Sequence, residues 1–245
     1  MDTGKCAESS SSEELKLLVV DLETTGLDPK HGSKPIEVAA ALFSVKHREV
    51  LQTVSFLIPN DTNEAEHVNR ISPAVTKERQ PWQAAMKLFF DMAEQSDYAL
   101  AHNCKFDSKW FGVDPLPAMD IPWLDSMTMN WGHMSGRSLR DLALNNGITV
   151  TPDHHRAGPD VQLLTSVLSA REDLTEILDD ALIPRHPYWA RVSYEQRGLA
   201  KSAGFQWNPE RKQWIKDLTE KEAESFEFVC MPIKVTADER AANVH

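Results

Sequence analysis

The run Leu17-Leu18-Val19-Val20 is continuously apolar, and acids then alternate with other residues through Asp21-Leu22-Glu23-Thr24-Thr25-Gly26. Such a run predicts a buried strand. Ile36 to Val45 and Val50 to Ile58 predict two more strands, separated by the polar Lys46-His47-Arg48-Glu49 turn. Links this short imply an antiparallel meander. Asn60 to Pro73 is a polar excursion with a short helix around Glu64 to Asn69. In Pro81 to Ala93 the apolar positions Ala85, Leu88, Phe89 and Met92 have the spacing of an amphipathic helix.

Further on the pattern alternates. Tyr98 to Ala101 predicts a short strand, Phe106 to Phe111 a helix, and Pro122 to Asp125 another strand. Ser138 to Asn145 predicts a helix stopped at Asn146-Gly147, and Val161 to Leu168 a last helix. A meander followed by alternating strands and helices predicts an α/β fold, a mixed sheet covered by helices.

Length and charge refine this picture. The 245 residues suit one large domain, or one medium domain with a small appendage. The division predicted is a disordered tail over 1–14, a main domain over 15–173, an accessory domain over 183–235 and a second disordered tail over 236–245. No apolar run approaches the length needed to cross a bilayer. The polar, Ser-rich start lacks the basic and apolar segments of a secretory signal. Cys6, Cys104 and Cys230 are far apart, which disfavours a disulfide framework or a structural zinc site and points to a reducing cytoplasm. The net charge of −11 argues against a nucleic-acid partner on its own, but residues 185–216 carry +5. The basic charge is local.

Asp21 and Glu23, two positions apart on a strand, share one face. Carboxylates so placed repel and partly protonate unless a cation lies between them. Magnesium or manganese suits such oxygen donors. An isolated Asp-x-Glu is also what a solvated strand end carries. Here a tight, donor-rich turn follows, Thr24-Thr25-Gly26, able to approach a sugar-phosphate. Asp107 follows the strand end in Ala101-His102-Asn103-Cys104-Lys105-Phe106-Asp107, in the first turn of the next helix. Its carboxylate can swing back to the sheet, although helix-start acids are commonly caps. Asp160 lies in the first turn of the last helix, after His154-His155-Arg156-Ala157-Gly158-Pro159.

Together these clusters resemble the DEDDh, or DnaQ-like, 3′-to-5′ exonucleases of the exonuclease X and polymerase III epsilon type. The match is Asp21-x-Glu23 with Thr24-Thr25-Gly26, then His102-Asn103 leading to Asp107, then His155-x-Ala157-x-x-Asp160, over about residues 16 to 170. Asn69-Arg70-Ile71-Ser72 and Arg79-Gln80-Pro81-Trp82 are also similar to the segment between the first two motifs. The resemblance implies a ribonuclease H-like mixed sheet and two Mg2+ (or Mn2+) ions. Asp21, Glu23 and Asp160 would hold one ion, and Asp21, with Asp107 through water, would support the second. His155 would take the proton from the attacking water, and a nucleoside monophosphate would leave the 3′ end of DNA, single strands favoured. Thr24, Thr25, Gly26 and Leu27 would meet the terminal nucleotide, with Leu27 wedged beside its base. His102 and Asn103 would order the second motif. Asp125, followed by Ser126, reads as a strand-end cap, and Asp141 as an acid on a solvent-facing helix face. The Gly158-Pro159 pair departs from the usual motif.

Past Asp180 the chain changes. Tyr188, Trp189, Tyr194, Phe205, Trp207 and Trp214 interleave with Arg191, Arg197, Lys201, Arg211, Lys212 and Lys216. Aromatics among cations suit single strands, and they also suit the core of a small domain, with a turn at Asn208 to Arg211. This segment is similar to C-terminal segments appended to some exonuclease X-like proteins. Other readings are an enzyme trimming the 3′ ends of RNA, a nucleic-acid-binding module without activity, and a proofreading or repair subunit with a polymerase partner.

Overall fold

The computed structural model describes residues 12–132, 138–150 and 156–233. The chain divides into two compact units, Met1–Ala181 and Leu182–His245.

The first unit is built on a five-stranded sheet in the order β3-β2-β1-β4-β5. Strands β1 (Lys16–Thr24), β2 (Pro35–Ser44) and β3 (Glu49–Leu57) form the antiparallel meander. On the other side of β1, β4 (Tyr98–Ala101) and β5 (Trp123–Asp125) run parallel to it. The sheet is therefore mixed, as the link lengths predicted. β1 is central because it is apolar on both faces: Leu17 to Val20 are all at most 1% exposed. Each such side chain contributes on the order of 1.5–3 kcal/mol by burial.

Alternation along β1 sorts its two faces. Leu18, Val20 and Leu22 join Val38, Ala40 and Phe56 in a core closed by Phe89, Met92 and Trp110. Phe89 and Met92 come from α3 (Trp82–Ala93), and α1 (Glu66–Asn69) and α2 (Pro73–Thr76) precede it. The other face, carrying Leu17, Val19, Asp21 and Glu23, is left for α6 (Ala157–Ala170), which packs on β1, β2 and β3. Between them lie α4 (Cys104–Asp107) and α5 (Leu139–Asn145), and α7 (Leu174–Leu182) follows α6.

Several elements differ from the sequence-based expectation. The helix expected over 106–111 is α4 followed by a 3-10 turn, Ser108–Trp110. The helix expected to be last starts four residues earlier than Val161, at Ala157, and α7 comes after it. Residues 12–14 do not continue a disordered tail. They form a 3-10 turn whose Ser12 hydroxyl donates to the Thr175 carbonyl at 3.2 Å, in a buried setting. The rest of that tail, residues 1–11, and the tail expected over 236–245 lie outside the described residues.

The second unit has a four-stranded antiparallel sheet, order β7-β8-β6-β9, from β6 (His186–Arg191), β7 (Gln206–Asn208), β8 (Gln213–Leu218) and β9 (Val229–Pro232). Helices α8 (Arg197–Ser202) and α9 (Glu220–Glu224) accompany it. Tyr188, Ala190, Ala200, Phe205 and Leu218 form its own small core.

Candidate active site

The C-terminal end of β1 and the first turn of α6 bring three acids together. One carboxylate oxygen each from Asp21, Glu23 and Asp160 lie within 4.8 Å of one another. The antiparallel register places Glu37 of β2 directly opposite Glu23, on the same face. Ala39 stands opposite Asp21, so the cross-strand neighbour of that carboxylate is small.

Electrostatics mark this cluster as incomplete without a cation. Burial pushes the Asp21 carboxyl well above its ordinary range, and the charges of Asp107, Asp160, Glu23 and Glu37 push it further. Glu23 is pushed up to about 8, first by burial and then by Glu37 and Asp160, with Arg156 opposing. Three all-oxygen donors on a rigid strand and a helix end fit a hard divalent ion such as Mg2+ or Mn2+. Such an ion would relieve both the desolvation and the repulsion.

Asp107 lies beside this group rather than in it. It is 2% exposed, and its Oδ1 accepts from the backbone N–H of Leu22 at 3.1 Å. Its carboxylate therefore does turn back to the strand end. Burial raises its pKa well above the ordinary value, with the Leu22 N–H bond opposing and Asp125 and Glu23 adding repulsion.

The remaining predicted residues separate into wall and scaffold. Thr24, Thr25, Gly26, Leu27, His102 and Asn103 all line a cleft of about 440 Å³ together with Asp21, Glu23, Asp107 and Asp160. The threonine hydroxyls also build the turn itself. Thr24 Oγ1 donates to the Gly26 carbonyl at 2.6 Å, and Thr25 Oγ1 accepts from Lys34 N–H at 2.9 Å. Gly26 packs closely inside the loop: a Cβ there would lie 2.5 Å from Ser33 Oγ, so the Ser33 hydroxyl would have to rotate away. Leu27 is 80% exposed, and its carbonyl accepts from Lys109 Nζ.

His102 Nδ1 meets Ser126 Oγ at 2.9 Å, and Ser126 Oγ donates to the Ala101 carbonyl. The serine proton is committed there, so His102 donates from Nδ1. Asn103 has the left-handed φ of 78° that starts α4, a conformation Asn tolerates. Asp125 Oδ1 accepts from the N–H groups of Asn103 and Met127, both at 2.9 Å, so it ties the ends of β4 and β5. Asp141 faces solvent as expected and also forms a capping box with Ser138. His154 and His155 lie outside the described residues.

Two supports were not legible in the motifs. Glu37, 3% exposed, grips Arg156 through two bonds and also accepts from Ala157 N–H at 3.0 Å. It thus caps α6 from a neighbouring strand, where Arg156 offers no side-chain cap. Asn69, 1% exposed, donates to the Thr24 carbonyl at 3.1 Å, while its Oδ1 accepts from Asn63 Nδ2 and Ile71 N–H. Asn69 opens the Asn69-Arg70-Ile71-Ser72 segment that the resemblance picked out, but nothing in that segment showed its contact with the first motif.

Fold and site together define a carboxylate-lined nuclease of ribonuclease H-like architecture. The family model described as Exonuclease, of RNase T type, matches residues 18–168, and the chain belongs to that family. A second family model, described as a domain of unknown function, matches residues 186–233. Among curated proteins, the chain is 32% identical over 95 residues to the 3′-5′ exonuclease DinG of Bacillus subtilis (strain 168). That match covers 38% of this chain and 10% of the relative, so the chain spans about a tenth of the relative's length. Among solved structures, E. coli Exonuclease I in complex with a dT13 oligonucleotide is similar with a TM-score of 0.55 at 17% identity, over 74% of this chain and 49% of that one. The nuclease domain of 3′hExo, a DEDDh family member bound to rAMP, is similar with a TM-score of 0.52 at 15% identity, over 71% and 95% of the two chains. Among the described residues no helix is long and apolar enough to cross a membrane.

Proposed function

We propose that this exonuclease removes nucleoside monophosphates stepwise from the 3′ end of DNA, with single strands favoured and divalent metal required. The observation that carries the reading is the convergence of Asp21, Glu23 and Asp160 carboxylates within 4.8 Å at the floor of the cleft. Asp21, Glu23 and Asp160 would hold one Mg2+ or Mn2+, and Asp107 would assist a second. When bound, such ions polarise the phosphoryl oxygens, lower the pKa of the attacking water and stabilise the leaving oxygen.

The chain's own residues supply position and proton transfer. Exposed Leu27 at the cleft mouth is placed to pack beside the terminal base. Ala65, Val68 and Asn69 line the same cleft and would contact the bound strand. His155, next in sequence to the clamped Arg156, takes the proton of the attacking water as general base. Similar proteins bound to a dT13 oligonucleotide and to rAMP support nucleic acid as the substrate class. The half-buried thiols of Cys104 and Cys230 are free, which suits the cytoplasm.

The test is digestion of 3′- and 5′-labelled single-stranded DNA, duplex DNA and RNA with Mg2+ or Mn2+. Mononucleotide release from 5′-labelled DNA as a descending ladder is expected. Immediate release of a 5′-labelled mononucleotide, or digestion confined to RNA, would replace this reading.

A further inference from the structure

The second unit carries a cleft of about 360 Å³ that the catalytic reading does not use. Its lining includes Tyr194, Arg197, Trp207, Lys212 and Trp214, and among the described residues no acid contributes to it. Trp207 and Trp214 are cross-strand partners in the β7–β8 hairpin, with ring centroids 5.7 Å apart at 60°. Tyr194 lies just before α8, and the Arg197 guanidinium sits 3.8 Å from its ring centroid.

The small core accounts for Trp214, which packs against it, but not for Tyr194 and Trp207. Tyr188, Phe205 and Leu218 fill it with Ala190 and Ala200, and Phe226 and Phe228 close it. By contrast Tyr194 is 75% exposed and Trp207 is 50% exposed. Holding such rings in water forgoes the stabilisation that their burial would bring. Lys212 stands in the hairpin turn at φ 51°, so its position is fixed by a tight left-handed turn. Among the described residues no ion-pair partner neutralises it.

We infer that this cleft is a second nucleic-acid site, binding consecutive nucleotides of a single strand. Bases would stack on Trp207 and Tyr194, while Arg197 and Lys212 would meet the phosphates. The chemistry follows from the lining. A base has a π-face for each exposed ring, and its phosphate supplies the anion that an acid-free lining with two cations lacks. A duplex would hide its base faces, which selects single strands. The proposal goes beyond the catalytic reading, because a strand can be held here whether or not it is cut.

The test is fluorescence anisotropy of the full chain in EDTA with labelled dT12, rU12 and an abasic 12-mer of equal charge. The wild type should bind both base-bearing strands more tightly than the abasic one. Tyr194→Ala should weaken dT12 binding about tenfold and shrink the preference over the abasic strand. Lys212→Ala should weaken all three alike and lower the salt slope by about 0.7. Lys212 is a surface turn residue, so this variant decides the matter if Tyr194→Ala melts early. Hydrolysis of a chromogenic thymidine 5′-phosphate ester, read separately, should stay at the wild-type rate in both variants. Unchanged affinities and salt slopes in the two variants would overturn the proposal. Loss of ester hydrolysis by the wild type would instead sink the catalytic reading and leave this one standing.

Discussion

Glu37 and Arg156, 119 positions apart in sequence, meet as a two-point fork: Nε donates to Oε2 at 2.8 Å and Nη2 to Oε1 at 2.7 Å. The carboxylate also caps α6 through Ala157 N–H. One side chain of β2 thereby fixes the helix end that carries Asp160 against the strand that carries Asp21 and Glu23. It also keeps its own negative charge matched by Arg156.

Glu37→Gln keeps the size but replaces one acceptor oxygen with a donor facing the guanidinium. Cleavage is expected to fall about ten- to hundredfold, on the scale of a misplaced reacting group. Because the Arg156 side chain is 39% exposed, the stability loss is expected at only about 1–2 kcal/mol. The distinguishing measurement is Mn2+ affinity, which should weaken through misplaced Asp160. A variant that loses stability but binds Mn2+ normally would reduce Glu37 to a fold residue.

Asp21→Asn should bring cleavage to background. In EDTA the same variant should melt no lower than the wild type, since it removes a desolvated carboxylate surrounded by Asp107, Asp160, Glu23 and Glu37. Parallel thermal melts with and without Mn2+ check both halves. Near-normal turnover in the variant would show that the metal site had been misplaced.

The metal-free protein should lose stability as pH rises. Glu23 is pushed from 4.5 to about 8 in the folded chain, so between those values the native state holds a proton that the unfolded chain has released. Stability must then fall across this window and level off above it. Melting temperature in EDTA should decline from about pH 5 to pH 8. Mg2+ or Mn2+ should flatten or reverse the decline by displacing the proton. Glu23→Gln should remove much of the slope, and a profile with no slope in EDTA would contradict the assigned burial and repulsion.

Asn69→Ala should remove the bond to the Thr24 carbonyl and leave Ile71 N–H without its Asn69 partner. Loss of buried bonds of this kind costs about 1–3 kcal/mol. The Asn69 part of the cleft lining should loosen, so KM for a strand should rise more than kcat falls. Steady-state kinetics on one oligonucleotide decide it, and an unchanged KM would detach Asn69 from substrate binding.

His155→Ala should lower single-turnover cleavage about a hundredfold or more, with Mn2+ affinity little changed. His154→Ala should have a mild effect by comparison. The opposite order would shift the proton-accepting role by one residue and break the motif's register.

The chain's local patterns determined the mixed sheet and most of its strands, because alternation and short links are written in neighbouring residues. Leu17 to Val20 could hardly be anything but a buried strand, and Asp21 and Glu23 share a face wherever that strand lies. Asp160 could be placed in a helix's first turn by Pro159. Harder local cases failed for a local reason: Cys104 to Trp110 is too short and mixed to distinguish one helix from a helix and a 3-10 turn. Only the tertiary structure decided that Asp21, Glu23 and Asp160 converge within 4.8 Å, because that depends on α6 packing over β1. It alone showed that Asp107 is buried on Leu22 N–H and that Asn69 is tied to the first motif. It also divided the aromatics of the second unit between a core and an exposed, acid-free cleft. Glu37 was invisible for the same reason: within Ile36-Glu37-Val38 it reads as one acid in an apolar strand, and its partner lies 119 residues away. Chain connectivity sets which face a side chain takes, but only packing sets what stands opposite it.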